Sequence, residues 1–302
     1  MKVVLQRLNG EPNTDPPEVA LSAEEETRLV LDHPVIAHHA GHRWSVNAKQ
    51  EMVFKHQPIQ AMRLVYFGNL AVPRQTPQKL MGLVSGQLGD IVRSGFLKRP
   101  KNFLHLHLVL PTPQRVQWVQ RHLLRPLGLA QHPRVQTRFS YRNTYEYPGI
   151  AWVYDLAKTA GPNDLIGYCH SKGASHKTPA RAPRLGIEKA LTAKVMCAWQ
   201  RVKTVFDVMP ALKLAAITTS NTSIGWFNFW WGRPVHLVKQ GQPVRDPVRK
   251  WFWEVWLTKN PAPVHEQLNL QAHPHQGMFS IGSSYSRGFT LDGSSPKKII
   301  RF

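Results

Sequence analysis

A strand that delivers a hydrogen-bonding ring, a hydroxyl, a cation and a glycine to its carboxyl end carries the parts of an anion pocket. The run IGYCHSKG at 166–173 has that pattern: an apolar stretch stopping abruptly at His170, Ser171, Lys172 and Gly173. Ligands of open α/β sheets bind at the carboxyl ends of strands, which is where these four side chains would stand. The plain alternative is a buried strand followed by a polar turn in which Lys172 is merely solvated, and four residues by themselves do not separate the two.

Carboxylates are scarce, so the choice of a general base is narrow. The chain has 302 residues, with 39 Lys and Arg against 18 Asp and Glu and a formal charge of +21. Seven of those acids fall in residues 1–32, leaving 11 for the remaining 270 residues. A surface this basic favours polyanionic partners: nucleic acid, anionic lipid headgroups or phosphorylated substrates. The charge is dispersed, with no Lys/Arg block, which fits a high background better than a dedicated stripe.

Six of the ten tryptophans lie between Trp226 and Trp256. The GWFNFWW run at 225–231 is too bulky and continuous for a simple amphipathic strand, so part of it must be core. Indoles beside Asn228 would also suit the apolar face and hydroxyl rim of a sugar, or a nucleobase. A second aromatic cluster, WFWEVWL at 251–257, sets Glu254 among rings. Burial there would raise its pKa toward the range a general base needs; the alternative is an ion pair with Arg245 or Arg249. If Glu254 is structural, Asp246 or Glu146 is the next candidate.

His38, His39 and His42 are close in sequence, and His105 and His107 share one face of a strand, yet neither group has cysteine or acidic neighbours to complete a metal site. Two cysteines, Cys169 and Cys197, make no disulfide framework and read as buried thiols, which points to a reducing, cytoplasmic setting. No apolar run reaches the ~18 residues of a membrane helix, and the opening MKVVLQRL is too short and too quickly polar for a signal peptide.

These residues need a scaffold. Strands are expected at 61–67, 102–110, 134–141 and 166–170, helices at 78–94 (ended by Gly95), 113–124, 149–159 and 185–208. That alternation argues for α/β architecture with a mainly parallel sheet between helices. Residues 1–57 read as a leader, partly irregular and partly helical, with a capping box at 22–25. The domain proper spans 58–258, and 259–302 reads as a C-terminal extension. The basic, proline-bearing loop at 175–184 follows the anion turn and would either cover it or serve as an exposed connector.

Four segments in order, YEYPGI at 145–150, YCHSKG at 168–173, WFNFWW at 226–231 and FWEVWL at 252–257, resemble a mostly uncharacterised family of glycosyltransferases. The resemblance covers residues 61–258. It implies a GT-A-like, Rossmann-related fold of the nucleotide-diphospho-sugar transferases, and transfer of a sugar from a nucleotide-sugar donor to a glycan or surface-polysaccharide acceptor. On that resemblance Tyr66, His170, Ser171, Lys172 and Gly173 bind the donor, Asn228, Trp230 and Trp231 the acceptor, and Glu254 is the catalytic base. Typical GT-A enzymes end the corresponding strand in Asp-x-Asp, which holds a divalent metal. His170 and Lys172 stand there instead, and a lysine can neutralise a diphosphate directly. The expectation is therefore metal-independent transfer with no cofactor, a divalent metal being the less favoured reading.

Two other readings stay open: a basic nucleic-acid-binding protein using the cleft, although no recognisable nucleic-acid module is present, and a catalytically inactive binding module on the transferase fold. With no anchor in view, membrane contact would be peripheral.

Overall fold

The computed structural model describes residues 3–7, 52–56, 58–175, 184–208, 212–216, 228–245, 256–262 and 267–269. Two short strands, β1 (Val3–Arg7) and β2 (Met52–His56), pair in parallel by themselves, in the segment expected to be partly irregular and partly helical.

The main sheet begins at β3 (Met62–Asn69), whose run MRLVYFGN is buried on both faces. A strand covered on both sides reads as continuously apolar, and this one lies inside the sheet, paired in parallel with β4 (Asn102–Val109) and β6 (Leu165–His170). Outside β4 lies β5 (Val135–Ser140). Beyond β6 come β8 (Trp230–Gly232), β7 (Leu214–Ala216) and β9 (Gln267–Asn269), the last drawn from the expected C-terminal extension. The seven strands run in the order β5-β4-β3-β6-β8-β7-β9, with β8 alone antiparallel to its neighbours. The fold is α/β, with a mixed, mainly parallel sheet flanked by helices. Its first half repeats the 3-2-1-4 order of doubly wound dinucleotide-binding sheets, so strand order reverses between β3 and β6.

Alternation along β3 divides the core. Leu64 and Tyr66 pack with Leu83 and Leu88 of α1 (Pro77–Arg93) and with Val202 and Phe206 of α5 (Trp199–Val208). Val65 and Phe67 face the other way, onto Ile150 and Val153 of α3 (Tyr147–Thr159) and Trp256. Helix α1 starts where Thr76 caps the Lys79 amide ahead of Pro77, and stops before Gly95, which takes the left-handed φ of 76°. The two other expected helices are shorter. α2 (Arg115–Val119) widens into a π turn at Gln120–Leu124, and α4 (Gly186–Leu191) into another at Thr192–Cys197 before α5. In the second π turn the Val195 carbonyl accepts the Trp231 indole N–H at 2.8 Å, tying this helix to β8. A short α6 (Pro234–Lys239) follows β8.

Gly167 explains how the aromatic run meets the first strand-and-turn motif. It pairs with Trp231 across the β6–β8 ladder, and a Cβ at Gly167 would lie 2.7 Å from the Trp231 ring. Only glycine lets that indole lie flat on β6.

Candidate functional site

The carboxyl ends of β3 and β6 open into a cleft of about 580 Å³, a size that suits a small organic ligand. It sits at the point where strand order reverses. Phe67 and Asn69 line it from β3, His170, Ser171, Lys172 and Gly173 from the end of β6, and Asn143, Tyr145 and Glu146 from the approach to α3.

The turn after β6 is held from several sides. The Ser171 amide continues the ladder to the Phe67 carbonyl at 2.8 Å, and its hydroxyl accepts the Asn69 amide at 2.9 Å. The Lys172 amide folds back to the His170 carbonyl at 2.7 Å, and Gly173 takes φ of 90°, a conformation glycine adopts without strain. Gln87 of α1 also donates to the His170 carbonyl, at 3.2 Å. The turn therefore presents Lys172 from a fixed backbone.

Glu146 faces this turn. One carboxylate oxygen lies 3.3 Å from His170 Nδ1. The other accepts the Asn228 side-chain amide at 2.8 Å and the Tyr168 hydroxyl at 3.2 Å. The side chain is only 14% exposed, and burial pushes its pKa up to about 7 against the pull of Asn228, Lys172 and Tyr168. A carboxyl that titrates near neutrality and opens on a cleft is suited to move protons.

Two backbone strains bracket Glu146. Tyr145 and Asn228 take φ of 52° and 55°, left-handed values that are costly for tyrosine and easier for asparagine. Gly149 completes the arrangement, because a Cβ there would lie 2.7 Å from the Tyr168 ring and 3.0 Å from Phe67. The helix can thus start hard against the strand ends, which brings Glu146 to Tyr168.

The expected site residues fall into three groups. His170, Ser171, Lys172 and Gly173 line the cleft together. Tyr66 does not: it is wholly buried under α1, where its hydroxyl donates to Gln87 at 2.7 Å. Strand alternation sends Tyr66 to the opposite face from Phe67, so its link to the site runs through Gln87 to the His170 carbonyl. Trp230 and Trp231 are also fully buried, one on each face of the sheet, and offer no surface to an acceptor. Asn228 is buried and holds Glu146. Glu254 and Asp246 lie outside the described residues, as do His38, His39 and His42.

Glu146, second to Glu254 among the expected bases, lines the cleft. The signal lay in its setting: one of few acids outside the leader, just before a proline-opened helix and between tyrosines.

The donor set also bears on a divalent metal at the end of β6. Hard cations take several oxygen ligands, carboxylates above all. Here the only carboxylate lining the cleft among the described residues is Glu146, already engaged by three side chains, and Lys172 brings a positive charge to the same turn. These residues do not fit such an ion.

Comparison with protein-family models, with curated proteins and with solved structures finds no match to this chain.

Proposed function

We propose that this chain is a glycosyltransferase of GT-A-like architecture that moves a sugar from a nucleotide-sugar donor to a hydroxyl of a glycan, without a metal. The observation that carries the reading is the facing of a cationic turn, Ser171–Lys172–Gly173, and a buried carboxyl, Glu146, across one cleft at the strand-order reversal. A parallel half-sheet continued by one reversed strand supports the architecture.

In this reading the donor diphosphate lies against the Lys172 ammonium. Glu146, whose pKa burial raises to about 7, accepts in its ionised form the proton of the acceptor hydroxyl. The acceptor oxygen then bonds to the anomeric carbon as the bond from that carbon to the diphosphate oxygen breaks. The electron pair leaves on the diphosphate, whose added charge Lys172 offsets. His170, with Nδ1 3.3 Å from the Glu146 carboxylate, keeps it aimed into the cleft. Glu146 thereby replaces Glu254 as the proposed base. The acceptor face is left to groups other than Trp230 and Trp231.

The test is thermal-shift screening with nucleoside diphosphates and nucleotide sugars, with and without EDTA. Stabilisation by UDP or GDP that survives EDTA and disappears in Lys172→Ala supports the proposal. Loss of the shift on adding EDTA overturns its metal-free part. No shift with any nucleotide, together with steeply salt-dependent binding of oligonucleotides, would favour the nucleic-acid reading instead.

A further inference from the structure

The sheet's other end carries a second basic surface that the cleft chemistry does not use. Between α1 and β4 the chain turns through Gly95 and a single 3-10 turn, Phe96–Lys98, then Arg99, Pro100 and Lys101. Lys98, Arg99 and Lys101 are all exposed. With Arg93, Ser94, Trp199 and Gln200, the first two line a groove of about 510 Å³ that has no acidic residue among the described residues lining it. Arg99 and Pro100 are shared with a neighbouring hollow of about 260 Å³, to which Lys101 and Lys203 belong.

This turn is built and held. The Arg134 guanidinium donates to the carbonyls of Leu97 and Arg99, and Asn102 donates to the Phe96 carbonyl at 2.9 Å. Trp199 anchors the far wall, with its indole N–H on the Ser94 carbonyl at 3.2 Å and the Arg99 guanidinium over its ring at 5.7 Å. The acids nearest in the chain are engaged already. Asp90 is bridged by Arg93 and Arg184, and Asp207 by Lys203 at 2.6 Å. Among the described residues, Lys98, Arg99 and Lys101 enter no ion pair. Cations gathered on a rigid turn without compensating carboxylates repel one another unless an anion joins them.

We propose that this groove is a second anion site, for a ligand carrying phosphate groups. Its location sets it apart from the cleft, since it lies at the amino end of β3 and β4, and eight residues of β3 at ~3.3 Å each put it about 25 Å away. Trp199 is too buried to serve as a stacking platform, which disfavours single-stranded nucleic acid. The site does not depend on the transferase reading.

Calorimetric titration of the full chain with inorganic tripolyphosphate tests it. The wild type should titrate as two classes of site. The triple variant Lys98→Gln/Arg99→Gln/Lys101→Gln should lose one, by about tenfold or more in affinity, and keep the one that Lys172→Ala removes. All three positions are exposed, so an unchanged melting temperature shows that the variant is folded, and the exchange Lys98→Arg/Arg99→Lys/Lys101→Arg should retain binding. A titration indifferent to the triple neutralisation overturns the proposal, as does loss of all binding in Lys172→Ala. Co-sedimentation with phosphatidylglycerol vesicles then separates the sources. Pelleting of wild type but not the triple variant identifies a lipid headgroup, whereas tripolyphosphate binding without pelleting identifies a soluble phosphate ligand.

Discussion

The Asn228 side-chain amide donates to the Glu146 carboxylate at 2.8 Å across 82 residues of chain. It joins the aromatic run to the helix that opens the cleft. Because this bond favours the ionised carboxyl and so holds its pKa down, losing it should raise the pKa further. Asn228→Gly keeps the left-handed backbone that the φ of 55° demands and removes only the donor. A hydrogen bond to a charged group contributes about 1.5–3 kcal/mol, so the acidic limb of the pH–rate profile, set by ionisation of the base, should move up by about one pH unit or more. A profile that stays in place would show that Asn228 only fills space.

Glu146→Gln should abolish sugar transfer while leaving nucleotide binding intact, and it should also change stability in a defined direction. Folded, Glu146 titrates at about 7 against an ordinary value of 4.5. Between those values the folded state binds more protons than the unfolded one, so stability falls as pH rises through the window and stays reduced above it. The full cost is on the order of 3 kcal/mol. The glutamine variant should therefore gain over wild type in denaturant melts at pH 8 and lose that advantage near pH 4. An equal difference at both pH values would place Glu146 in a solvated environment.

Lys172→Ala should weaken nucleoside diphosphate binding by about tenfold or more, the share of one charge-assisted contact to phosphate. The turn itself rests on the Ser171, Asn69 and Gln87 bonds, so the variant should stay folded, losing the attraction of Lys172 for the Glu146 carboxylate. Unchanged affinity in calorimetry refutes the diphosphate role.

How far the site could be read from sequence follows from the range of each interaction. The turn at 170–173 and the strands around it were legible because continuous apolar runs and a terminal glycine are local signals. The seating of Trp231 over Gly167, the partnership of Asn228 with Glu146 and the close approach permitted by Gly149 each join distant segments, and no periodicity reports them. Tyr66 shows the opposite failure. The resemblance puts it with the donor residues, but strands alternate faces, and a one-residue offset sends it into the core while Phe67 reaches the cleft. Trp230 and Trp231 failed for a related reason, since an aromatic run dense enough to offer a sugar platform is also dense enough to fill both faces of a sheet.

Arg184 offers a test of what fixes the chain just beyond the anion turn. Its guanidinium binds both oxygens of the fully buried Glu188 at 2.8 Å and also bridges Asp90 on α1. Removing one partner of a buried pair strands the other charge, at a cost of about 3–5 kcal/mol. Arg184→Met should destabilise by that amount in chemical denaturation, whereas Arg184→Met/Glu188→Met should recover much of it. If the double variant is no better than the single, the network's role is packing.

His105 and His107 predict how the fold responds to acid. Both point toward Trp152 from β4, with Arg138 stacked over the same indole at 3.9 Å. Burial, with the Arg138 cation adding to it, lowers each imidazole from 6.5 to about 4, and Arg63 adds a further push on His105. Unfolded, each takes up its proton near pH 6.5; folded, it resists until about pH 4. Their contribution to stability is therefore whole above about 6.5 and is lost as pH falls toward 4, on the order of 3 kcal/mol for each ring. Replacing them with neutral side chains, His105→Phe and His107→Asn, should flatten the fall in unfolding free energy between pH 7 and pH 5. The asparagine keeps a polar group near the Ser140 hydroxyl, which His107 Nε2 meets at 3.0 Å. A slope equal to that of wild type would mean that both rings already carry their protons in the folded protein.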